Sequence, residues 1–334
     1  MESRRLRTIA PFAGIMNLKS LSVLSGQKTI FPFYHVVSDE QLPHVRHLYA
    51  YRNEQQFERD LEAMLKLYTP IGIDDYLKGR SGPGRKRGMV LSFDDGLVEC
   101  HHHIAPLLKR KGIPAIFFLN NDFIDNRGLF YRYRAGILID HLEKNRAARV
   151  MTAEFMQIPE EQVKEAILMI NYRQIPLLDA LMLQVDLDDA VYLRDTPVYM
   201  STAQIRILVK WGFHIGAHST DHPEFYRMNE KIMAAQVSKS MKDIQERFHS
   251  KPSCFAFPFT SDGVPERIID ELLDEGIADV IFGTAGMKKT HRGRFIQRIP
   301  MEAGNLSALR MLKAEHLYYL LKGLAGENEY FKGR

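Results

Sequence analysis

Two adjacent carboxylates close an apolar run at Leu91-Ser92-Phe93-Asp94-Asp95-Gly96. Placing charge beside charge at the end of a buried segment is costly unless a metal or a reaction uses it. Far downstream, His218-Ser219-Thr220-Asp221-His222 supplies two imidazoles. One Asp and two His make three ligands of the kind that hold a catalytic zinc-type ion while a further position stays open to water. The other Asp of the pair is then free to act as a base.

The choice of histidines follows from local pattern. His214 lies four residues before His218, so a helix would present His214, His218 and His222 as one stripe. Phe213, Ile215 and Ala217 alternate with His214, Gly216 and His218 instead, which is strand periodicity, and Pro223 stops a helix beyond His222. In a strand His214 and His218 stand roughly 13 Å apart, too far to share an ion. His218 at the strand end and His222 a turn later can converge, and His214 is expected to be structural. The run His101-His102-His103 points in different directions on a helix and is not assigned to a site.

The elements that must deliver these groups alternate. Residues 28–37 are β-branched and aromatic and read as a first strand carrying His35 to its carboxyl end. A helix opens at Asn53 or Glu54, with Phe57, Leu61, Met64, Leu65 and Tyr68 at the spacing of one buried stripe. Met89 to Phe93 is a second strand, a helix through Leu108 follows, and Pro114 to Leu119 is a third. Strand, helix, strand over so few residues requires a parallel crossover, so the class is α/β. Further strands are expected at 213–216, 255–257, 279–282 and 295–299, with helices at 231–248, 265–273 and 307–321. Residues 125–200 read as a helical insertion, with candidate helices at 138–147 and 160–178, inside a single catalytic domain spanning 1–334. A barrel and an open doubly wound sheet fit this pattern equally; in either, active residues gather at strand carboxyl ends, where Asp94, Asp95, His35 and His218 all fall.

With these residues in view, the chain resembles the polysaccharide deacetylase family, the NodB-homology or family 4 carbohydrate esterases. Ser92-Phe93-Asp94-Asp95-Gly96 is similar to the family's T/S-F-D-D-G motif and His218-Ser219-Thr220-Asp221-His222 to its second, histidine-bearing motif. The likeness spans about residues 30–300. It implies a distorted (β/α) barrel, often seven-stranded, in which Asp94 is the base and Asp95, His218 and His222 hold a divalent ion; zinc is expected, with cobalt, nickel, iron and manganese also compatible. It implies metal-dependent removal of acetyl groups, N-acetyl first, from a glycan or amino sugar, with a backbone N–H near Phe259 at the oxyanion. Two departures stand out. Phe255-Ala256-Phe257-Pro258-Phe259 lacks the Arg that the family's third motif pairs with the catalytic Asp, and Arg298 is the substitute, since only a fixed guanidinium fork holds a carboxylate bidentately. The family's late general-acid His is also missing; a branch with an N-terminal Tyr-His is similar at Tyr34-His35, which makes His35 the acid and His291 the reserve. Alternatives are hydrolysis of another acyl or cyclic amide on the same fold, and a carbohydrate-binding protein that has lost turnover.

Composition narrows the partners. The 334 residues carry 45 basic and 41 acidic side chains, a formal +4, with 45% hydrophobic content. That balance, without a dense basic stripe interleaved with aromatics, predicts no nucleic-acid partner. Cys100 and Cys254 are too few for a disulfide framework. Arg4, Arg5 and Arg7 before a short apolar stretch at 9–16 only faintly resemble a signal sequence, and no run reaches the roughly 20 residues that span a bilayer. No membrane partner and a cytoplasmic location are therefore expected; oligomeric state is not legible. A carbohydrate is the expected substrate. Phe130, Tyr131 and Tyr133 could stack on sugar rings, although packing is the commoner role of such a cluster.

Overall fold

The computed structural model describes residues 11, 13, 16–80, 87–302 and 306–331. Arg4, Arg5, Arg7 and most of the apolar stretch after them lie outside the described residues. The strands are β1 (Thr29–Ile30), β2 (Pro32–Tyr34), β3 (Tyr68–Pro70), β4 (Arg87–Met89), β5 (Leu91–Phe93), β6 (Ala115–Leu119), β7 (His214–Ala217), β8 (Cys254–Ala256), β9 (Val280–Gly283), β10 (Phe295–Gln297) and β11 (Ile299–Pro300). The helices are α1 (Leu18–Leu24), α2 (Glu54–Leu65), α3 (Ile73–Leu77), α4 (Ala105–Lys111), α5 (Tyr131–Lys144), α6 (Arg146–Met156), α7 (Val163–Met169), α8 (Ile175–Gln184), α9 (Asp189–Asp195), α10 (Thr202–Lys210), α11 (Glu230–Phe248), α12 (Glu266–Asp274) and α13 (Ala308–Leu324).

Eight strand segments form one parallel sheet in the order β10-β9-β8-β7-β6-β5-β2-β11. The two outermost segments are consecutive in sequence, separated only by Arg298. β10 pairs with β9 and β11 with β2, so a single run, 295–300, joins both ends of the sheet and closes it. Counted by chain runs this is a seven-membered (β/α) barrel, with the seventh run split at Arg298. A second sheet, β1-β4-β3, arises where 29–34 and 87–93 splay from the barrel at their amino ends; sequence periodicity did not reveal it because its strands are two or three residues long.

Strand alternation divides the core. Val90, Ile116, Phe118, Cys254, Ala256, Val280, Phe282 and Ile296 come from successive strands and fill the barrel interior. Their neighbours Leu91, Phe93, Ala115, Phe117, Leu119 and Phe255 turn outward to the helices. There they meet the expected stripe of α2, in which Phe57, Leu61 and Met64 are buried and Leu65 is half-buried. The α2 start follows from its amino end: Asn53 accepts from the Gln56 N–H while the Gln56 side chain accepts from the Asn53 N–H.

Between β6 and β7 the chain leaves the barrel for five helices, α5 to α9, whose apolar residues cluster with Val36, Leu42, Val45 and Leu97. The expected single helix at 160–178 is two. Asn171 caps a new turn, its side chain accepting from the Arg173 N–H, and Pro176 in the first turn of α8 has no N–H to continue an earlier helix. Helix α5 also begins earlier than expected, at Tyr131, and α6 is additional. Among the described residues no single helix is long and apolar enough to cross a bilayer; Glu160–Met169 and Tyr172–Gln184 pass only as a pair bent by 116°.

Candidate active site

The carboxyl ends of β2, β5, β7, β9 and β11 surround a cavity of about 510 Å³ lined by His35, Asp94, Asp95, His218, His222, Phe259 and Thr284, among others. The backbone explains the convergence. The Asp94 N–H donates to the Tyr34 carbonyl (3.0 Å) and the His218 N–H to the Leu119 carbonyl (2.8 Å), so each residue is the first beyond its strand while the ladder still holds it. Asp95 and Gly96 then take φ of 71° and 72°, turning the chain sharply. Glycine adopts that region freely and Asp is among the few other residues that tolerate it. Ser219, His222 and Phe259 have φ of 73°, 59° and 55°, so left-handed backbone concentrates around this cavity.

Asp94 is buried and forked by Arg298, with Nη1 to Oδ1 at 2.6 Å and Nη2 to Oδ2 at 2.8 Å. Arg298 is wholly buried; it also donates to Ser92 Oγ (3.1 Å) and lies 4.3 Å from the Phe33 ring centroid and 5.1 Å from that of Phe118. Burial opposes ionisation of Asp94, but the Arg298 charge and its hydrogen bonds outweigh it and hold the carboxyl below its usual range.

Asp95, His218 and His222 form a second group. His222 Nε2 is 3.2 Å and His218 Nε2 3.5 Å from Asp95 Oδ1. Donors tetrahedrally arranged about 2.0 Å from an ion would be about 3.3 Å apart. His218 Nδ1 lies 2.8 Å from the Ala256 carbonyl, which only accepts, so Nδ1 carries the proton and Nε2 offers a lone pair. Burial lowers the pKa of His218 to about 4, keeping it neutral. Asp95 Oδ1 and His222 Nδ1 are buried without a hydrogen-bond partner. A buried carboxylate oxygen with no hydrogen-bond partner, facing the neutral His218 nitrogen and the His222 ring, fits a divalent cation. Burial raises the Asp95 pKa, and the neighbouring His222 and His35 more than reverse this.

His35 lines the same cavity, and Glu302 holds it. The Glu302 carboxylate accepts from the His35 N–H (3.0 Å), the Val36 N–H (3.1 Å) and Nδ1 of His35 (2.5 Å). Burial alone would lower the His35 pKa, but the Glu302 charge raises it to about 9.

The other candidates lie elsewhere. His291 pairs with Glu266 (2.8 Å) and does not line the cavity. His214 bonds the Pro252 carbonyl (2.7 Å). His101 stacks on Trp211, His102 meets Gln204 and His103 pairs with Glu54. Of the three aromatics, Phe130 lines the cavity and sits against His222 at 4.1 Å between ring centroids, whereas Tyr131 packs by Tyr172 and Phe259. Tyr133 bonds Asp95 instead of facing the cavity.

Glu302 and Tyr133 are the partners that motif reading missed. For Glu302 a signal existed: it follows the last strand run, as Asp94 follows β5. For Tyr133 none did, because nothing local ties a helical residue to a strand end 38 positions earlier.

Three solved structures share this architecture. IcaB from Ammonifex degensii is 15% identical, with 87% of this chain and 97% of that one covered and a TM-score of 0.53. The deacetylase PplD of Streptococcus pyogenes, in complex with acetate, is 12% identical over 86% and 98%, with a TM-score of 0.56. A de-N-acetylase from Aggregatibacter actinomycetemcomitans is 16% identical over 85% and 99%, with a TM-score of 0.54. At such identities the likeness speaks to the fold alone. No curated protein sequence matches the chain. The sequence profile of polysaccharide deacetylase, however, matches residues 81–278, more than half of the 334, and includes both the Asp94-Asp95 and the His218 to His222 segments. By profile and barrel together, the chain belongs to the polysaccharide deacetylase family.

Proposed function

We propose that this chain removes acetyl groups, N-acetyl first, from an amino sugar or glycan, and does so with a divalent ion held by Asp95, His218 and His222. The observation that carries the reading is the convergence of that ligand set with an Arg-clamped carboxylate and a protonated imidazole on one cavity. When bound, the ion supplies a Lewis acid that lowers the pKa of water from about 16 toward 7.

The remaining work falls to side chains. Asp94, ionised because the Arg298 charge and its hydrogen bonds outweigh the cost of burial, accepts a proton from water attacking the acetyl carbonyl. Arg298 keeps both Asp94 oxygens in place, which restricts the base to one orientation. His35, kept protonated by Glu302, gives its proton to the departing amine, without which an amide bond hardly breaks. Phe33, Leu48, Tyr49, Phe130, Leu168 and Phe259 supply apolar walls for the acetyl methyl and a sugar-ring face. Acetate and a free amine are the products.

The test is acetate release from N-acetylglucosamine oligomers and O-acetylated glycans by zinc-loaded protein. Release is expected from the wild type, none from Asp95→Ala, which loses metal, and none from Asp94→Asn, which keeps it. Silence across the panel with one equivalent of metal bound would redirect the chemistry to another amide. Silence without metal would make the chain a carbohydrate-binding protein.

A further inference from the structure

Asp95 has two oxygens, and they have different partners. Oδ1 faces His218 and His222 and has no hydrogen-bond donor. Oδ2 accepts from the Tyr133 hydroxyl at 2.5 Å. An ionised carboxylate can only accept, so the phenol proton points at Oδ2 and commits it. The Tyr133 oxygen is held in turn by the Tyr49 hydroxyl at 3.3 Å. Tyr133 is fully buried and does not line the cavity, so it touches no substrate and cannot itself transfer a proton to one.

Its helix is fixed in place independently. Gly136, one turn on, lies so close to the loop at His44 that a Cβ there would be 2.5 Å from the His44 carbonyl oxygen. Phe130, at the start of the same helix, presses on the His222 ring. Tyr172, from the turn before α8, donates to Asp221 between the two histidines. The segment outside the barrel thus reaches both ligand-bearing loops.

We propose that Tyr133 is a positioning residue that restricts Asp95 to ligation through one oxygen, so that a coordination position stays open for water and substrate. The proposal rests on the reading of Asp95 as a ligand. A carboxylate released from its phenol can turn both oxygens to an ion and fill that position. Ligand-orienting partners of this kind change metal affinity 10- to 100-fold when removed.

The experiment compares wild type, Tyr133→Phe and Asp95→Ala by calorimetric titration of the metal-free proteins with zinc, and by visible spectra of their cobalt forms. Tyr133→Phe removes one oxygen atom. It is expected to bind zinc 10- to 100-fold more weakly and to give a paler cobalt spectrum, the mark of a higher coordination number. A folded Tyr133→Phe protein with the wild-type cobalt spectrum overturns the proposal, whatever its rate. If Tyr133→Phe does not fold, Tyr49→Phe, which loosens the same hydroxyl, is expected to shift the spectrum in the same direction by less, and an unchanged spectrum there overturns it. If Asp95→Ala binds zinc as wild type does, Asp95 is no ligand, and the deacetylase reading falls together with the role of Tyr133.

Discussion

Arg298 is a wholly buried cation whose charge is met by Asp94 and whose plane lies over aromatic rings. Removing one member of such a pair leaves an uncompensated buried charge and costs about 3 to 5 kcal/mol, so Arg298→Ala tests stability as much as chemistry. Arg298→Lys separates the two. It keeps the charge but not the fork, and its kcat is expected to fall on the order of 100-fold with zinc content unchanged; an unaltered kcat would remove Arg298 from the reaction. Glu302→Gln probes the other side of the cavity. His35 can act as an acid only while protonated, so the wild-type rate should hold as pH rises and decline near 9. Without the Glu302 charge, burial is opposed only by Asp95 and Asp94, so the His35 pKa should fall and the declining limb should move to lower pH. A pH–rate profile with its basic limb unmoved would exclude this pairing. Asp94, Asp95, His218 and His222 were legible because their spacing is local and their chemistry unusual. Arg298 was legible only as the stand-in for an Arg that the family resemblance implies, since its partner lies 204 residues away, and Glu302 only by its place after the last strand run.

Elements were read well where side chains repeat and poorly where backbone approach decides. The stripe of α2 declared itself because one buried face imposes a period on the sequence, and β5, β6 and β7 did so as short apolar runs because they are buried on nearly every side. The break between α7 and α8 was present as Asn171 and Pro176 but was overridden by the continuous apolar content around them. The seat of α5 could not be read at all. It depends on Gly136 lying against the His44 carbonyl, a contact across 92 positions that leaves no pattern. Gly136→Ala must therefore push the helix off its seat, which is expected to cost about 1 to 3 kcal/mol and to weaken zinc binding as Tyr133 retreats from Asp95. Urea denaturation together with a zinc titration checks both, and wild-type values in the two would show that the contact relaxes freely.

At the scale of the molecule, the α/β class followed from the order of elements, whereas closure into a barrel did not; an open sheet has the same linear pattern. Closure rests on which strand the run 295–300 accepts as its second neighbour. The two ends of the described chain are also fastened together: His316 of α13 meets Ser25 Oγ beside α1 and Tyr68 Oη of β3, each at 2.8 Å. Burial, aided by the Arg87 charge, lowers the His316 pKa to about 4. The unfolded chain takes up this proton near 6.5, so between 6.5 and 4 it binds more protons than the folded one, and stability falls as pH falls through that window. The loss is on the order of 3 kcal/mol for this residue. His316→Gln should flatten part of the dependence of the urea midpoint between pH 7 and 4.5, and an identical slope would show that His316 does not contribute.

The residue that splits the closing run is the one that grips Asp94. Arg298 donates its own N–H to the Gly283 carbonyl on one side, while Ile299 and Met301 donate to Phe31 and Phe33 on the other. The seam of the barrel and the clamp on Asp94 are therefore one piece of backbone. A molecule whose seam parts would keep nearly all of its helices and strands and still be inert, so activity should report the integrity of the ring more sensitively than any spectroscopic measure of folding. In mild denaturant, turnover and the exchange protection of the 299 and 301 amides should be lost together, ahead of the global transition.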